Sequence, residues 1–295
     1  MISQRRDVWL GITSYTLWGL FPIYWKLLAA LPALEILSHR ILWSFVFYLA
    51  IYLLPGAAAR NRWRFASRRA VGLSVLAAGL LALNWGTYIY GVNSGRVLET
   101  SLAYFLNPLM SVAVGVIWFK EPFSWPLRFA LILATLGVLT LASLSTEFPW
   151  IALTLATSFC IYGIVKKVIG IDARLGSLLE GAAGFLPALA AAIYFREAAP
   201  WPLSWEQALL LAGGGVVTGL PLFLFSVAAP GLPVSLMGML QFIAPSLQFL
   251  CGVLVFHEPL GGVKLAAFCL IWAGVGFYLV DRMARLGMAY RNRKR

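Results

Sequence analysis

Long apolar runs, separated by short stretches of charged and turn-forming residues, organise the whole chain. Each run holds about 20 residues, which is the length of a helix that crosses a bilayer, and lacks the shorter alternating pattern of membrane β-strands. The pattern therefore predicts an all-α membrane protein. Cutting the runs at charges and at Pro, Gly and Asn clusters predicts ten spans, at residues 8–28, 35–54, 71–91, 97–119, 125–143, 148–166, 175–195, 207–228, 233–256 and 262–282.

Composition favours the same class. The chain has 295 residues, of which 61% are hydrophobic and 12% charged, and its mean hydropathy is +0.84. Soluble domains carry about 25% charged residues, so this chain has too little charge to cover a surface that faces water. Cys160, Cys251 and Cys269 lie inside apolar runs and show no metal or redox spacing, so neither a disulfide framework nor a metal or other cofactor is predicted.

Basic residues are concentrated at one side of the predicted spans. The net charge is +12, and 18 of the 23 basic residues fall on the side of the N-terminus. The positive-inside bias therefore predicts that both termini are cytoplasmic and that the number of spans is even. We interpret the basic tail, residues 283–295, as part of this orientation signal, with contact to anionic lipid headgroups as the alternative. A nucleic-acid partner is not predicted.

The second half of the chain repeats the first. Ten residues recur with a spacing of 137 residues, and each half contains five spans. Because five is odd, the second half must enter the membrane from the opposite side, which predicts two inverted units, residues 1–143 and 148–282. The matching pairs are Phe105 and Phe242, Pro108 and Pro245, Gly115 and Gly252, Phe119 and Phe256, Glu121 and Glu258, Pro122 and Pro259, Ala130 and Ala267, Leu133 and Leu270, Gly137 and Gly274, and Val138 and Val275.

Several separated motifs resemble those of one transporter family. FLNP and FIAP, which end at Pro108 and Pro245, are each followed by a Glu-Pro pair thirteen residues after the proline; this is similar to the paired EamA repeats of the drug/metabolite transporter superfamily. The resemblance covers nearly the whole chain. Its RarD type is matched by WGLFPIYWK at 18–26, EILSHRILWS at 35–44, LNWGTYIYGVNSGRVLETSLAYFLNP at 83–108 and QFIAPSLQF at 241–249.

This resemblance implies ten helices around a central cavity, located in the bacterial inner membrane. It also implies export or exchange of small metabolites or drugs, and the RarD type is named for chloramphenicol sensitivity. Independently of the family, two inverted halves can exchange conformations between inward-open and outward-open states of similar energy, which favours a transporter that works by alternating access.

Two prolines near the middle of spans four and nine point to a cavity. Pro108 and Pro245 each remove a backbone hydrogen bond and free the carbonyl four residues earlier. An unpaired carbonyl is costly at membrane depth, so we expect both helices to break there and to face a cavity, with kinks that serve packing as the alternative. The polar residues at helical spacing from the two prolines are Tyr104 and Ser111 in the first half and Gln241 and Gln248 in the second.

Aromatic and amide side chains in other spans suit the same cavity. Aromatic walls with a few amides hold a flat or amphiphilic organic solute by stacking and a small number of hydrogen bonds. A small-molecule substrate is therefore the predicted partner, together with membrane lipid, towards which some of these rings would alternatively point. The candidates are Tyr15, Trp18, Trp43, Asn84, Tyr88 and Tyr162.

Ionisable residues inside apolar spans favour a function, because each costs about 2.5–3.5 kcal/mol at the bilayer centre on insertion scales. We expect Arg40 and Glu99 to form part of an outer gate or to bind a substrate carboxylate, and His39 to exchange a proton near neutral pH. Glu180, nearer the cytoplasmic end of span seven, is a second candidate for proton exchange. Snorkelling to the interface is the alternative for Arg40 and Glu99, and a structural role without proton exchange is the alternative for His39 and Glu180.

Other function classes fit less well. The chain has two histidines, no HExxH motif, no Gly-rich phosphate loop and no paired intramembrane aspartates, which argues against a membrane enzyme. A facilitative channel and a non-transporting membrane assembly factor are the alternatives to a transporter. A homodimer is compatible with the sequence.

Overall fold

Helices make up nearly all of the computed structural model, which describes residues 2–54, 67–94, 96–143, 148–195, 203–257 and 261–291. No strand occurs in these ranges. A 3₁₀ turn (Ala229–Gly231) precedes helix α10 (Val234–Gln241), and a π-helix (Cys251–Val255) follows helix α11 (Ile243–Leu250). The helices are α1 (Ile2–Gly19), α2 (Phe21–Lys26), α3 (Ala33–Leu53), α4 (Arg68–Asn93), α5 (Val97–Ile117), α6 (Trp125–Ala142), α7 (Trp150–Val168), α8 (Ala173–Phe195), α9 (Trp205–Ala228), α10 (Val234–Gln241), α11 (Ile243–Leu250) and α12 (Gly262–Arg291).

Nine helical segments within the described ranges are long and apolar enough to cross a membrane, which confirms the predicted all-α membrane class. They correspond to the second to tenth predicted spans, and one of them, Val234–Val255, combines α10, α11 and the π-helix. The first predicted span differs. Its helix α1 begins with the charged residues Arg5, Arg6 and Asp7, and α2 follows it as a separate helix of six residues.

Prolines and polar caps start several helices. Pro32, Pro149 and Pro233 directly precede α3, α7 and α10, at positions where a backbone N–H would have no helical partner. At α9 the Ser204 side chain accepts from the Gln207 backbone N–H at 3.1 Å, and the Gln207 side chain accepts from the Ser204 N–H at 3.0 Å. This reciprocal capping box fixes the first turn of α9.

A proline also explains the break between α1 and α2. Pro22 has no N–H, so the carbonyl of Trp18, four residues earlier, has no helical partner. Gln248 of α11 donates to this carbonyl through Nε2 at 3.2 Å. A side chain of the second half therefore satisfies the backbone that Pro22 exposes in the first half.

The two prolines expected to break helices behave differently from each other. In span nine the chain is interrupted at Phe242, between α10 and α11 and three residues before Pro245. In contrast, α5 continues without interruption through Pro108, which corrects the expected break there. A proline removes only one helical hydrogen bond, so the helix can continue through it. α10 also packs closely against α5 at this point, because a β-carbon on Gly238 would be 2.8 Å from the Pro108 carbonyl oxygen.

Helices pack mainly against helices of the other half. α1 lies against α9 and α11, α3 against α8 and α9, α4 against α7 and α8, α5 against α7 and α10, and α6 against α12. Glycines allow the closest of these crossings. A β-carbon on Gly215 of α9 would collide with the backbone of Trp43 in α3, and one on Gly219 would lie 2.6 Å from the Phe47 ring. The structure has Ser44 donating to the Gly215 carbonyl at the same crossing, at 3.2 Å.

Candidate functional site

A cavity of ≈ 280 Å³ lies where the two halves meet. Side chains from α1, α2, α3, α4, α5, α7, α9 and the α10–α11 junction line it. In α3, α5 and α7 the lining residues lie in the first half or at the middle of the helix, and in α1 and α4 in the last half; in α9 they lie past the middle, at Thr218 and Leu222. The cavity is therefore displaced toward the end of the bundle opposite the chain's N-terminus.

Most of the residues predicted to line a cavity do lie in its wall. Three do not: Trp43 packs at the crossing with Gly215, Tyr162 is fully buried outside the wall, and Ser111 lines a separate, smaller pocket. The predicted residues in the wall are Tyr15, Trp18, Asn84, Tyr88, Tyr104, Gln241 and Gln248, with Pro245 and Arg40 beside them.

Sequence reasoning missed two polar residues of the wall, Asn107 and Thr218. The Asn107 amide donates to the Ala156 carbonyl at 3.0 Å and accepts from the Ser111 hydroxyl at 3.3 Å. Both missed residues are isolated polar positions within apolar spans, and that signal is visible in the sequence. It does not tell which of many such positions face inwards.

Aromatic residues make up a large part of the wall, and their rings pack in tilted or edge-to-face pairs. The Trp18 ring lies 5.4 Å from the Tyr15 ring and 5.7 Å from the Phe159 ring, between centroids. The rings of Tyr88 and Tyr104, also in the wall, are 6.3 Å apart in a T-shaped arrangement. Such rings provide flat apolar surfaces, and the phenol hydroxyls provide polar tips.

Arg40 carries a positive charge at the wall of this cavity. Its Nε donates to the Thr218 hydroxyl at 3.1 Å. The guanidinium carbon lies 4.5 Å from the centroid of the Trp25 ring and 5.1 Å from that of Trp85, within the range of a cation–π contact. Glu99, the carboxylate expected to act with Arg40, has a side chain outside the described residues.

The amide of Asn84 is already used as a donor. Its Nδ2 donates to the Leu155 carbonyl at 2.8 Å and to the Ser158 hydroxyl at 3.0 Å. This arrangement ties α4 to α7 and leaves the Asn84 carbonyl oxygen as an acceptor at the cavity wall.

His39 lies one turn after Glu35 on α3, and the two side chains form a pair. His39 Nε2 is 3.1 Å from Glu35 Oε1, and the Glu35 carboxylate is buried. The second atom of each group, Glu35 Oε2 and His39 Nδ1, is buried and has no hydrogen-bond partner among the described residues. Neither residue lines the cavity.

Glu180 is buried in an ion pair. Lys166 Nζ donates to Glu180 Oε1 at 2.5 Å, and the side chains of the two residues are 2% and 7% exposed. The Tyr162 hydroxyl donates to the other carboxylate oxygen at 3.4 Å. This group lies outside the cavity wall, in the part of the bundle nearer the chain termini.

Glu121 joins the two halves at the same end of the bundle as Glu180. The Glu121-Pro122 pair indicates only a turn after α5, so these contacts are an additional role of Glu121. Its carboxylate accepts from the Val234 N–H at 2.6 Å, the Ser235 N–H at 2.9 Å and the Ser235 hydroxyl at 2.5 Å, at the start of α10. Nearby, Lys167 donates to the Leu232 carbonyl at 2.5 Å. Lys120, just before Glu121, adopts a left-handed conformation with φ 52°.

A metal-binding cluster is not apparent in the described part of the chain: no three His, Cys, Asp or Glu side chains come together there.

The comparisons with known proteins agree with this architecture. The model of the EamA-like transporter family matches residues 6–143. Protein RarD of Streptomyces exfoliatus is 40% identical over 281 residues, which cover 92% of this chain and 88% of that protein. The uncharacterized transporter YojE of Bacillus subtilis (strain 168) is 40% identical over 277 residues, covering 92% and 93%. A solved crystal structure with 18% identity superposes with a TM-score of 0.70 over 94% of this chain and 98% of its own, which shows a shared fold.

Proposed function

We propose that this chain, which belongs to the EamA-like transporter family as one of its RarD-type members, is a secondary transporter that moves small organic solutes across the bacterial inner membrane by alternating access. The family makes it a multi-pass membrane transporter of the drug/metabolite superfamily. The observation that carries the finer proposal is the cavity of ≈ 280 Å³ between the two halves, displaced toward one end of the bundle.

Helix contacts support ten spans in two inverted repeats. In this scheme α1 and α2 together form the first span, and α10, α11 and the π-helix form the ninth. Replacing every span by its counterpart in the other repeat then turns each contact between the halves into a contact that is also present. The contact of α5 with α7 corresponds to that of α1 with α10 and α11, the contact of α4 with α7 to that of α1 with α9, and the contact of α3 with α9 to that of α4 with α8. A twofold relation of this kind allows the halves to exchange conformations.

The cytoplasmic end, in the predicted orientation, is the closed one. Three sets of contacts lie there: Glu121 with the start of α10, Lys166 with Glu180, and Lys167 with the Leu232 carbonyl. The cavity lies toward the opposite end, so the conformation corresponds to an outward-facing state. In the inward-facing state we expect the contacts of Glu121 across the two halves to break.

The cavity suits a solute with a flat apolar part. Rings of Trp18, Phe159 and Tyr88 supply stacking surfaces, and Gln241 and Gln248 supply amides near the middle of the spans. Its volume is close to the lower end of known ligand pockets, about 300 Å³. We therefore propose amino-acid-like or aromatic solutes, including compounds of the chloramphenicol type, as the substrate class.

Counterflow in proteoliposomes tests the transport proposal. The full-length chain is reconstituted, and uptake of labelled aromatic solutes is measured with and without unlabelled solute inside. We expect saturable uptake that internal solute accelerates, and a lower affinity after Trp18→Ala than after Trp205→Ala, an exposed tryptophan at the start of α9. Uptake that rises linearly with concentration would instead support a channel, and the absence of uptake for every solute would support an assembly factor.

A further inference from the structure

The cavity has an unbalanced positive charge. Of the described residues in its wall, Arg40 is the one with a formal charge, and none is Asp or Glu. The Glu35 carboxylate on the same helix is engaged with His39 and does not line the wall. An arginine at this depth is costly unless something compensates its charge, so the partners of Arg40 decide what the cavity can accept.

Neutral groups hold Arg40 in place. Thr218 accepts from Nε, and the rings of Trp25 and Trp85 lie within cation–π distance of the guanidinium. These contacts orient the side chain and stabilise its charge, but they contribute no negative charge. The two Nη groups have no hydrogen-bond acceptor among the described residues, so their donors are available to a solute.

Further donors surround the same space. Tyr88 and Tyr104 line the cavity beside Arg40, and their hydroxyls have no hydrogen-bond partner in the described part of the chain. A guanidinium binds a carboxylate through two parallel N–H···O bonds, and phenol hydroxyls can donate to the same oxygens. An organic cation, in contrast, would meet a like charge in a cavity without a described carboxylate.

We propose that this cavity selects amphiphilic organic anions, an aromatic or apolar body carrying a carboxylate, and that Arg40 determines this selectivity by binding the anionic group. The inference rests on the proposed transport function and narrows its substrate class to anionic aromatic solutes, ahead of zwitterionic amino acids and of neutral compounds of the chloramphenicol type. Anions are then preferred over neutral isosteres, zwitterions and cations of the same shape.

Four probes with one phenylpropyl scaffold test the proposal: 3-phenylpropanoate, 3-phenylpropanamide, phenylalanine and 3-phenylpropylamine. Binding to the full-length protein in phosphatidylcholine nanodiscs at neutral pH is measured by quenching of tryptophan fluorescence, since Trp18, Trp25 and Trp85 line the cavity. A membrane of zwitterionic lipid alone removes headgroups with a net negative charge as competitors. We expect the carboxylate to bind about 10- to 100-fold more tightly than the amide, the range for hydrogen bonds to a charged group.

Arg40→Gln should reduce the ratio of carboxylate to amide affinity to about one, mainly by weakening the carboxylate. Arg96→Gln is the matched control, because Arg96 also stacks on a tryptophan, Trp150, at 5.5 Å but lies outside the cavity wall. A wild-type protein that binds the amide or the amine as well as the carboxylate would overturn the proposal, and this comparison holds even if Arg40→Gln does not fold. So would an unchanged ratio in a folded Arg40→Gln variant.

Flux of the same probes separates this inference from the transport proposal. Binding of 3-phenylpropanoate that depends on Arg40, without any flux, would overturn transport and leave the anion site standing. Saturable counterflow of the amide or the amine that Arg40→Gln leaves unchanged would overturn the anion site and leave transport standing.

Discussion

Gly137 of α6 and Gly274 of α12 each face a backbone carbonyl of the other helix. A β-carbon on Gly137 would lie 2.7 Å from the Ala267 oxygen, and one on Gly274 would lie 2.9 Å from the Ala130 oxygen. The two glycines are 137 residues apart in the chain, and so are the two alanines. The contact is therefore reciprocal, as a twofold relation between the halves requires.

Alanine at either glycine should destabilise this crossing. Neither carbonyl can move without shifting its helix, so we expect Gly137→Ala and Gly274→Ala each to lower the free energy of unfolding by about 1–3 kcal/mol, measured as a lower melting temperature in detergent. Gly276→Ala is the control on the same helix, because nothing lies within 4 Å of its added β-carbon. Equal melting temperatures for Gly274→Ala and Gly276→Ala would contradict the close crossing.

Glu121→Gln should loosen the end of the bundle where Glu121 contacts the start of α10. The amide retains one acceptor oxygen for the three donors at Val234 and Ser235, so we expect a loss of about 1–3 kcal/mol. Cys160, which is 5% exposed, reports the opening through its rate of maleimide labelling after Cys251 and Cys269 are replaced by serine. Glu206→Gln, an exposed glutamate at the start of α9, should leave that rate unchanged.

Lys166→Met should be strongly destabilising, because it leaves the Glu180 carboxylate buried without its cation. We expect a loss of about 3–5 kcal/mol for Lys166→Met, and recovery of most of it when Glu180→Leu is added. Thermal melting of the two single variants and the double variant gives the coupling energy of the pair. Additive losses in the double variant would show that the two groups do not depend on each other.

Gln248→Leu should lower the stability of the protein mainly while Pro22 is present. The substitution leaves the Trp18 carbonyl without a donor, and a buried unsatisfied group lowers the free energy of unfolding by about 1–3 kcal/mol. In a Pro22→Ala background, residue 22 regains an N–H that can pair with the same carbonyl. The effect of Gln248→Leu on the melting temperature should then shrink, whereas an equal effect in both backgrounds would rule out the explanation.

His39→Gln tests the proton-exchange prediction for α3. Glutamine can still donate to Glu35 but does not titrate, so we expect counterflow to persist while any acceleration of solute flux by an imposed pH gradient disappears. The measurement is flux into proteoliposomes with and without that gradient. A gradient effect that His39→Gln and Glu180→Gln both leave intact would remove these residues from the coupling.

The sequence predicted the helices well because length and apolarity alone define a span. Even the short break between spans eight and nine is present, as the 3₁₀ turn and the start of α10 at Val234. Orientation within a span is harder to predict, since an almost uniformly apolar helix does not indicate its inner face. For this reason the sequence pattern places Trp43 at the cavity, whereas its backbone and Cβ lie against Gly215 of α9 and its side chain is partly exposed outside the wall.

Contacts between segments that lie far apart in the chain also could not be predicted from the sequence. Glu121 reaches the start of α10, and a pattern in either segment alone does not reveal that the two meet. The pairing of Glu180 with Lys166 likewise depends on how the end of α7 meets the first turns of α8, which neither span indicates on its own. Prolines are a partial guide: the chain breaks next to Pro22 and three residues before Pro245, but α5 continues through Pro108.

Because helices of the first half pack against helices of the second half, part of the fold can form only late in synthesis. α1 packs mainly against α9 and α11, so the first helix to leave the ribosome lacks these neighbours until the chain has passed Trp205. In contrast, α3 can already pack against α8, and α4 and α5 against α7. Until α9 is made, the backbone of α1 relies on its own helical hydrogen bonds. Docking of α1 is thus a late event in biosynthesis, and a protein truncated before α9 would lack the helices on which α1 packs.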